Sequence, residues 1–264
     1  QDVETQEVSS IDWKDVQEWK VLPVEEVLVS NSYNPDELLT AKFDEIKKWK
    51  DYDVYTEVED VGQKAISTRW VNTVKDGIIR SRLVARGYED TELNERIDSL
   101  TCEKSNLRLA IVIAASKQWR VNSLDVQSAF LQGKEVEGNI YFRPPKEVNT
   151  TSVWKLKKYV YGLKQASRKW YEKMLKELRK LGVTKSKLDE AFFYWHLNGK
   201  LCGIIAGHVD DFFWAGTADF KNQIIDSIQK IFKTSSDLQD CFKFFGLYVN
   251  QTPSGIKMNQ QLYV

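Results

Sequence analysis

The stretch Leu201–Gly216, L-C-G-I-I-A-G-H-V-D-D-F-F-W-A-G, constrains this chain more than any other. An apolar run, Leu201 to Ala206, leads into Gly207, His208, Val209, Asp210 and Asp211. A second, Phe212 to Ala215, leads out. Short apolar runs on both sides of a tight polar break predict two buried strands joined as a hairpin. A carboxylate pair at the tip of a buried hairpin is costly to keep ionised unless a cation neutralises it. Hard divalent ions such as Mg²⁺ take oxygen ligands of this kind. A lone Asp-Asp pair is more often a solvated turn, so the rest of the chain has to decide.

With 264 residues the chain is long enough for one large domain or two subdomains with a real core. Its 38 basic residues balance 38 acidic ones, a charge-rich composition that fits a globular rather than a disordered chain. No apolar run approaches the roughly 20 residues of a membrane span, so no membrane partner is expected. Gln1–Asp15 is polar and acidic, unlike a signal peptide. A start at Gln rather than Met is what a fragment or processed piece would show. Cys102, Cys202 and Cys241 have no paired spacing, which predicts a reducing compartment and no zinc site. His196 and His208 are too few for most His-based metal or nucleophile schemes.

Zero net charge argues against a nucleic-acid partner, but the distribution matters more. Residues 1–60 hold 17 acids against 6 bases, and residues 154–187 hold 12 bases against 2 acids. Trp154, Tyr159, Tyr161, Trp170 and Tyr171 are interleaved with those bases. A basic stripe with aromatics suits a nucleic-acid surface; it equally suits a basic amphipathic helix facing water.

Residues 1–33 show little periodicity and read as an extended lead-in. Asn34-Pro35-Asp36-Glu37 is a strong helix start, predicting a helix to about Trp49. Residues 54–74 hold β-formers, Asp76-Gly77 signals a hairpin turn, and Ile78–Arg86 is the return strand. The two-residue period puts Arg80, Arg82, Val84 and Arg86 on one face of it. Asn106–Lys117 reads as a buried apolar helix. Arg120–Val126 reads as a strand delivering Asp125 at its end, with a short helix or turn over Gln127–Gln132. Further strands are expected at Asn139–Arg143 and Val153–Lys157, a helix at Gln165–Leu181 capped by Gly182, and a hairpin Phe192–Leu197 and Leu201–Ala206 about Asn198-Gly199. An amphipathic helix, Asp219–Phe232, and a hairpin of Phe242–Gln251 with Ile256–Asn259 complete the pattern.

This order predicts an α+β layer, an antiparallel sheet with helices on one face. Asp125 at a strand end and Asp210-Asp211 at a hairpin tip could then meet on adjacent central strands. Three carboxylates converging on two metal ions is the layout that phosphoryl and nucleotidyl transfer needs.

At these residues the chain resembles the reverse transcriptase domain of copia-type LTR retrotransposons. The matching blocks are Ser67–Val71, Ser81–Tyr88, Leu124–Gly133, Ile140–Pro145, Tyr161–Tyr171 and His208–Asp211, in the family's order, within a resemblance over roughly residues 35–264. It implies a right-hand polymerase fold, with residues 34–119 mainly fingers and 120–264 mainly palm. It also implies an RNA-directed DNA polymerase, a fragment of a retrotransposon polyprotein that transfers nucleotides from a dNTP to a primer 3′-OH. By the same resemblance, Asp125, Asp210 and Asp211 are catalytic and, with the Val126 carbonyl, hold two Mg²⁺ ions, with Mn²⁺ as the alternative. Arg80, Arg82, Gln127, Ser128, Ala129, Phe130 and Gln165 would bind the nucleotide, Phe130 closing the 2′ side of its sugar. Lys164, Arg168, Lys169, His208, Phe245 and Gly246 would meet nucleic acid, the last two in a primer-grip hairpin near 242–260. The partners implied are an RNA or DNA template with its primer, a dNTP, and a homo- or hetero-oligomer with other polyprotein parts. The place implied is intracellular, a cytoplasmic virus-like particle or the nucleus.

There are departures. The family's Tyr-Val-Asp-Asp is His208-Val209-Asp210-Asp211 here, and its Gln-Ala-Pro-Arg is Gln165-Ala166-Ser167-Arg168. Neither a full thumb nor an RNase H domain is expected within these residues. The rival expectation, from a different class, is a non-catalytic nucleic-acid-binding protein derived from such a polymerase. A two-ion phosphodiesterase is a third, without a visible means of placing water.

Overall fold

The computed structural model describes residues 33–260 except 76, 91–96, 99, 236 and 237. The lead-in expected over 1–33, all but its last residue, and Asp76 of the expected turn thus lie outside the described residues. Helix α1 is Pro35–Asp51. It starts as its sequence dictates: the Asn34 side chain accepts from the Asp36 N–H at 3.0 Å, and Pro35 occupies the first turn. Trp49 is fully buried and meets the rings of Tyr55, Phe142 and Trp154 at 6.0–6.4 Å. Tyr55 and Phe142 belong to the short strands β1 (Tyr55–Val58) and β5 (Tyr141–Phe142). With β6 (Val153–Leu156) these make a three-stranded antiparallel sheet, ordered β1-β6-β5.

Strands β2 (Thr68–Lys75) and β3 (Ile78–Ala85) form a two-stranded ribbon, paired in unbroken register from Thr68↔Ala85 to Lys75↔Ile78. Burial alternates along β3: Ser81, Leu83 and Ala85 are buried, while Arg80 and Arg82 are exposed, the face the two-residue period predicts.

Helix α2 (Lys104–Ser116) precedes β4 (Val121–Asp125), helix α3 (Ala166–Lys180) precedes β7 (Thr184–Lys185), and β8 (Phe192–Leu197), β9 (Lys200–His208) and β10 (Asp211–Gly216) follow. Residues 218–231 form helix α4, which widens into a π turn over Lys221–Ile225 and so turns Phe220, Ile224, Ile225 and Ile228 to one buried side. Strand β11 (Leu238–Gln239) completes a six-stranded sheet ordered β11-β4-β10-β9-β8-β7.

The expected layer of helices lies on one face of this sheet: residues of α3 and α4 join Leu124, Phe193, Trp195, Ile205, Phe212 and Trp214 in one apolar cluster. The opposite face is covered as well. There α2 and a three-stranded sheet of β12 (Cys241–Phe244), β13 (Leu247–Thr252) and β14 (Gly255–Asn259) pack on Val121, Ile204, Ala206, Phe213 and Ala215. Two details differ from expectation. Helix α2 buries only one side, leaving Leu109 and Val112 exposed. The single strand expected over Phe242–Gln251 is two, because Phe245 and Gly246 take positive φ (50° and 72°) and turn the chain.

One joint sets the β2–β3 ribbon against the rest. The Ala85 N–H donates to the Tyr161 carbonyl at 2.7 Å. Beside it Gly162 has φ +90°, and a Cβ there would stand 2.2 Å from the Ala85 carbonyl oxygen. The backbones meet without side chains between them, so Gly162→Ala should cost roughly 2–4 kcal/mol, read as a lower denaturant midpoint with unchanged m-value. A midpoint within error of the parent would show that the joint yields easily.

Candidate active site

The strand register builds the site. In the β4–β10 ladder Asp211 stands directly opposite Asp125, and in the β9–β10 hairpin it stands opposite His208. The hairpin turn is therefore just Val209-Asp210, tighter than the polar break in the sequence suggests. Val209 has φ +58°, a strained value for a β-branched residue. Its carbonyl accepts from the Trp170 indole N–H at 2.8 Å, and the Asp210 carbonyl accepts from the Val126 N–H at 2.9 Å. Asp125, Asp210 and Asp211 thus converge: one carboxylate oxygen from each lies within 4.8 Å of the others.

The far side of Asp125 is also held. The Ser235 N–H donates to the Asp125 carbonyl at 2.8 Å and the Gln127 N–H to the Lys233 carbonyl at 3.0 Å. The Gln132 side-chain amide donates to the carbonyls of Gln127 and Lys233 and accepts from the Lys233 N–H. The Gln127 backbone N–H is therefore taken and not available to a triphosphate. Among the described residues the Val126 carbonyl accepts no backbone hydrogen bond.

Burial and mutual repulsion show in the carboxylates. Burial, opposed in part by Arg82 and His208, raises the Asp210 pKa, with Asp125 adding to the rise. Asp211 is pushed from 3.8 up to about 7 by burial first, then by the negative charges of Asp125 and Asp210. Three clustered oxygen donors that hold a proton for want of positive charge suit a hard divalent cation.

Above the carboxylates opens a cavity of about 550 Å³, lined by Asp125, Val126, Gln127, Ser128 and Asp210 below and by Arg80, Ser81, Arg82, Tyr161 and α1 residues Glu45 and Lys48 around. Of the residues expected at a nucleotide, Arg80, Arg82, Gln127 and Ser128 line it. Ala129 is buried beside it, and Gln165, at the start of α3, is not part of its wall. Phe130 is set back behind Tyr161, ring centroids 4.7 Å apart. His208 accepts or donates at Nδ1 with Thr101 (3.0 Å), and its ring meets Phe245, at the β12–β13 turn with Gly246, at 4.4 Å. Burial lowers the His208 pKa.

The three basic residues expected at phosphates have protein partners instead. Lys164 donates to the Asp90 carbonyl at 3.0 Å, Arg168 pairs with Glu172 and Glu190, and Lys169 is buried over the Tyr159 ring. Tyr161, Lys48 and Ser235 were not singled out for this site. Lys48 and Ser235 carry no local signal of a site, and Tyr161 stands out in the sequence as one aromatic of the basic stripe and as the start of the Tyr161–Tyr171 block, without a role of its own.

A family model described as "Reverse transcriptase (RNA-dependent DNA polymerase)" matches residues 52–264. The chain belongs to this reverse transcriptase family. Curated relatives bear out the copia-type resemblance: the chain is 28% identical over 211 residues to the Pol polyprotein from transposon RE1 of Arabidopsis thaliana and 29% identical over 217 residues to that from transposon TNT 1-94 of Nicotiana tabacum. These matches cover 75% and 73% of this chain but only 14% and 16% of those proteins. Among solved structures, "Structure of the foamy viral protease-reverse transcriptase dRH in complex with ds DNA" has a TM-score of 0.52 over 88% of this chain and 37% of that one. At 13% identity this likeness speaks to the fold alone, an α+β polymerase-like fold. No helix among the described residues is long and apolar enough to cross a membrane.

The raised Asp211 pKa carries a sign. The folded chain binds a proton that the unfolded chain has lost between about pH 4 and 7, so this residue's contribution is full below that window and lost as pH rises through it. In a chelator, the melting temperature should fall between about pH 5 and 8; Mg²⁺ should restore it at the upper end and do little at the lower. Asp211→Asn should remove most of both effects. A melting temperature indifferent to Mg²⁺ at about pH 8 would count against a cation site.

Proposed function

We propose that this chain is the fingers and palm of an RNA-directed DNA polymerase, with residues 34–119 mainly fingers, 120–264 mainly palm and 242–260 the primer-grip hairpin. The observation that carries this is the convergence of Asp125, Asp210 and Asp211, the first two of them on the floor of a cavity whose wall bears Arg80 and Arg82. The carboxylates, with the Val126 carbonyl, would hold Mg²⁺. When bound, the ions supply activation of the primer 3′-OH and stabilisation of the leaving pyrophosphate.

The chain's own residues position and discriminate. Arg80 and Arg82 share one strand face and offer fixed guanidinium forks to a triphosphate. Ser128, at φ +51°, turns the backbone from Asp125 towards Phe130 beneath the same cavity. His208 and Phe245-Gly246 form one surface beside the carboxylates, placed for a primer end. The template with its primer and the dNTP are the partners, and the setting is intracellular, a cytoplasmic particle or the nucleus. In this reading Lys164, Arg168 and Lys169 are engaged chiefly within the protein, Lys164 with Asp90, Arg168 with Glu172 and Glu190, and Lys169 over Tyr159.

Primer extension on an RNA template with Mg²⁺ tests it. Asp125→Asn and Asp210→Asn should each abolish extension, because a neutral amide cannot offset a divalent charge. A variant extending at the parental rate would remove its residue from the site, and a parent that binds primer–template without extending would favour the non-catalytic binder.

Arg80→Ala with Arg82→Ala should raise the dNTP KM by tenfold or more with a smaller change in kcat. Replacing Lys164, Arg168 and Lys169 with Ala should leave the salt dependence of primer–template binding nearly unchanged, since those charges are engaged within the protein. A slope reduced by about three would place phosphates on them after all.

A further inference from the structure

A further carboxylate, outside the cavity, is built into the support of the hairpin that carries Asp210 and Asp211. Asp189, shortly before β8, is only 7% exposed. Three donors meet on it. One oxygen accepts from the Ala191 N–H at 2.8 Å. The other accepts from the Glu103 N–H at 2.9 Å and from the Asn106 side-chain amide at 2.7 Å. Burial opposes the charge, but the hydrogen bonds from Asn106, Glu103 and Ala191 outweigh it and hold the carboxyl below its usual pKa. Glu103 starts α2 without a side-chain cap of its own. Asp189 brings an anion to that helix end from elsewhere in the chain, where the helix dipole favours it.

Two of these donors lead to the hairpin. The β8–β9 ladder ends at the pair Phe192↔Ala206. Beyond it β9 takes other neighbours. The Gly207 N–H donates to the Ala191 carbonyl at 2.8 Å, and the Gly207 carbonyl accepts from the Cys102 N–H at 2.8 Å. Asp189, Ala191, Gly207, Cys102 and Glu103 thus form a closed loop of hydrogen bonds and chain. One residue further, Thr101 bridges His208 in antiparallel fashion, and its hydroxyl lies 3.0 Å from His208 Nδ1. The end of β9 is therefore gripped at both backbone groups of Gly207, three positions before Asp210.

Resting on the polymerase reading above, we infer that Asp189 is a positioning residue for the cation site: by holding Ala191 and Glu103 at once it sets where β9 ends, and so where Asp210 and Asp211 present their oxygens. Mg²⁺ demands near-ideal octahedral geometry, so a displaced carboxylate is felt as lost affinity. Asn106 marks the limit of the role. It donates to the same carboxylate, yet it leads into α2 and not to Gly207.

The test compares Asp189→Asn with Asn106→Ala. An amide has one acceptor oxygen, so in Asp189→Asn its NH₂ must face either the Ala191 N–H or the donors at Glu103 and Asn106, and one arm is lost. Asn106→Ala removes a hydrogen bond from the same carboxylate and leaves both arms. Three quantities are read: the melting temperature in chelator, the Mg²⁺ concentration that gives half of the maximal rise in melting temperature at about pH 8, and kcat and KM for the dNTP in primer extension at a fixed, limiting Mg²⁺ concentration. Both variants should melt below the parent in chelator. Only Asp189→Asn should raise the half-saturating Mg²⁺ concentration, by about tenfold, as loss of a support behind a metal ligand does. Its kcat should fall by a similar factor, with the dNTP KM nearly unchanged. The parent is measured first. A parent that extends nothing sinks the polymerase reading but leaves the Mg²⁺ comparison in force; a parent indifferent to Mg²⁺ removes the cation site and this inference with it. A folded Asp189→Asn with the parental half-saturating Mg²⁺ concentration would overturn the inference, as would an equal shift in Asn106→Ala. Where Asp189→Asn does not fold, Asp189→Glu takes its place, keeping the charge and changing its reach. If neither folds, Asp189 serves stability alone and the inference falls.

Discussion

Repulsion between carboxylates that the strand register forces together is the constraint on which this structure turns. Asp125 and Asp211 are cross-strand partners, and Asp210 occupies the adjoining turn. No local adjustment separates them, since a one-residue slip in β4 or β10 would send every apolar side chain of that strand to the wrong face. Both faces of the central sheet are packed, by α3 and α4 on one side and α2 with the β12–β14 sheet on the other. The apolar cores on either side therefore hold in place an arrangement that electrostatics alone would push apart. Below about pH 7 protonation of Asp211 relieves it, and a divalent ion would relieve it more fully.

Much of this was legible in the sequence because the controlling signals are local. Asn34-Pro35 starts α1, Asn198-Gly199 turns β8 into β9 with positive φ at both residues, and alternation along Ile78–Ala85 separates the arginines from the buried face. The carboxylates were legible because no bland role suits three of them at strand ends. What stayed hidden depended on partners distant in the chain. The bases of 154–187 read as a ligand surface, yet Lys164 bonds the Asp90 carbonyl and Arg168 pairs with Glu190, residues that no periodicity ties to them. The Phe244-Phe245-Gly246 stretch read as uninterrupted strand, because an aromatic residue at positive φ has no sequence signature. The π turn in α4 had none either. Tyr161 lies outside helices and strands, so neither the helical nor the strand period marks it.

The two halves of the chain meet through backbone as much as through side chains. Ala85, Gly87 and Gly162 are in direct main-chain contact, while the Ser67 N–H and hydroxyl both donate to Glu89, lowering its pKa and bracing the same end of the ribbon. The base of β2–β3 is thereby fixed, and burial declines along the ribbon to the exposed Val74 and Ile78. Arg80 lies toward the exposed end and Arg82 nearer the anchored one, so two arginines on one face differ in how firmly the fold aims them.

A similar inequality runs through the carboxylates. The chain at Asp125 has hydrogen-bonded neighbours on both flanks, β10 on one and Lys233–Ser235 on the other, placing it in the interior of a sheet. Asp210 sits in a two-residue turn whose strained Val209 is steadied by an indole hydrogen bond from Trp170. Asp125 is thus set by the sheet and Asp210 by a turn tied to α3. Since Trp170 belongs to α3, a residue far from the carboxylates in sequence helps to hold the turn that carries one of them.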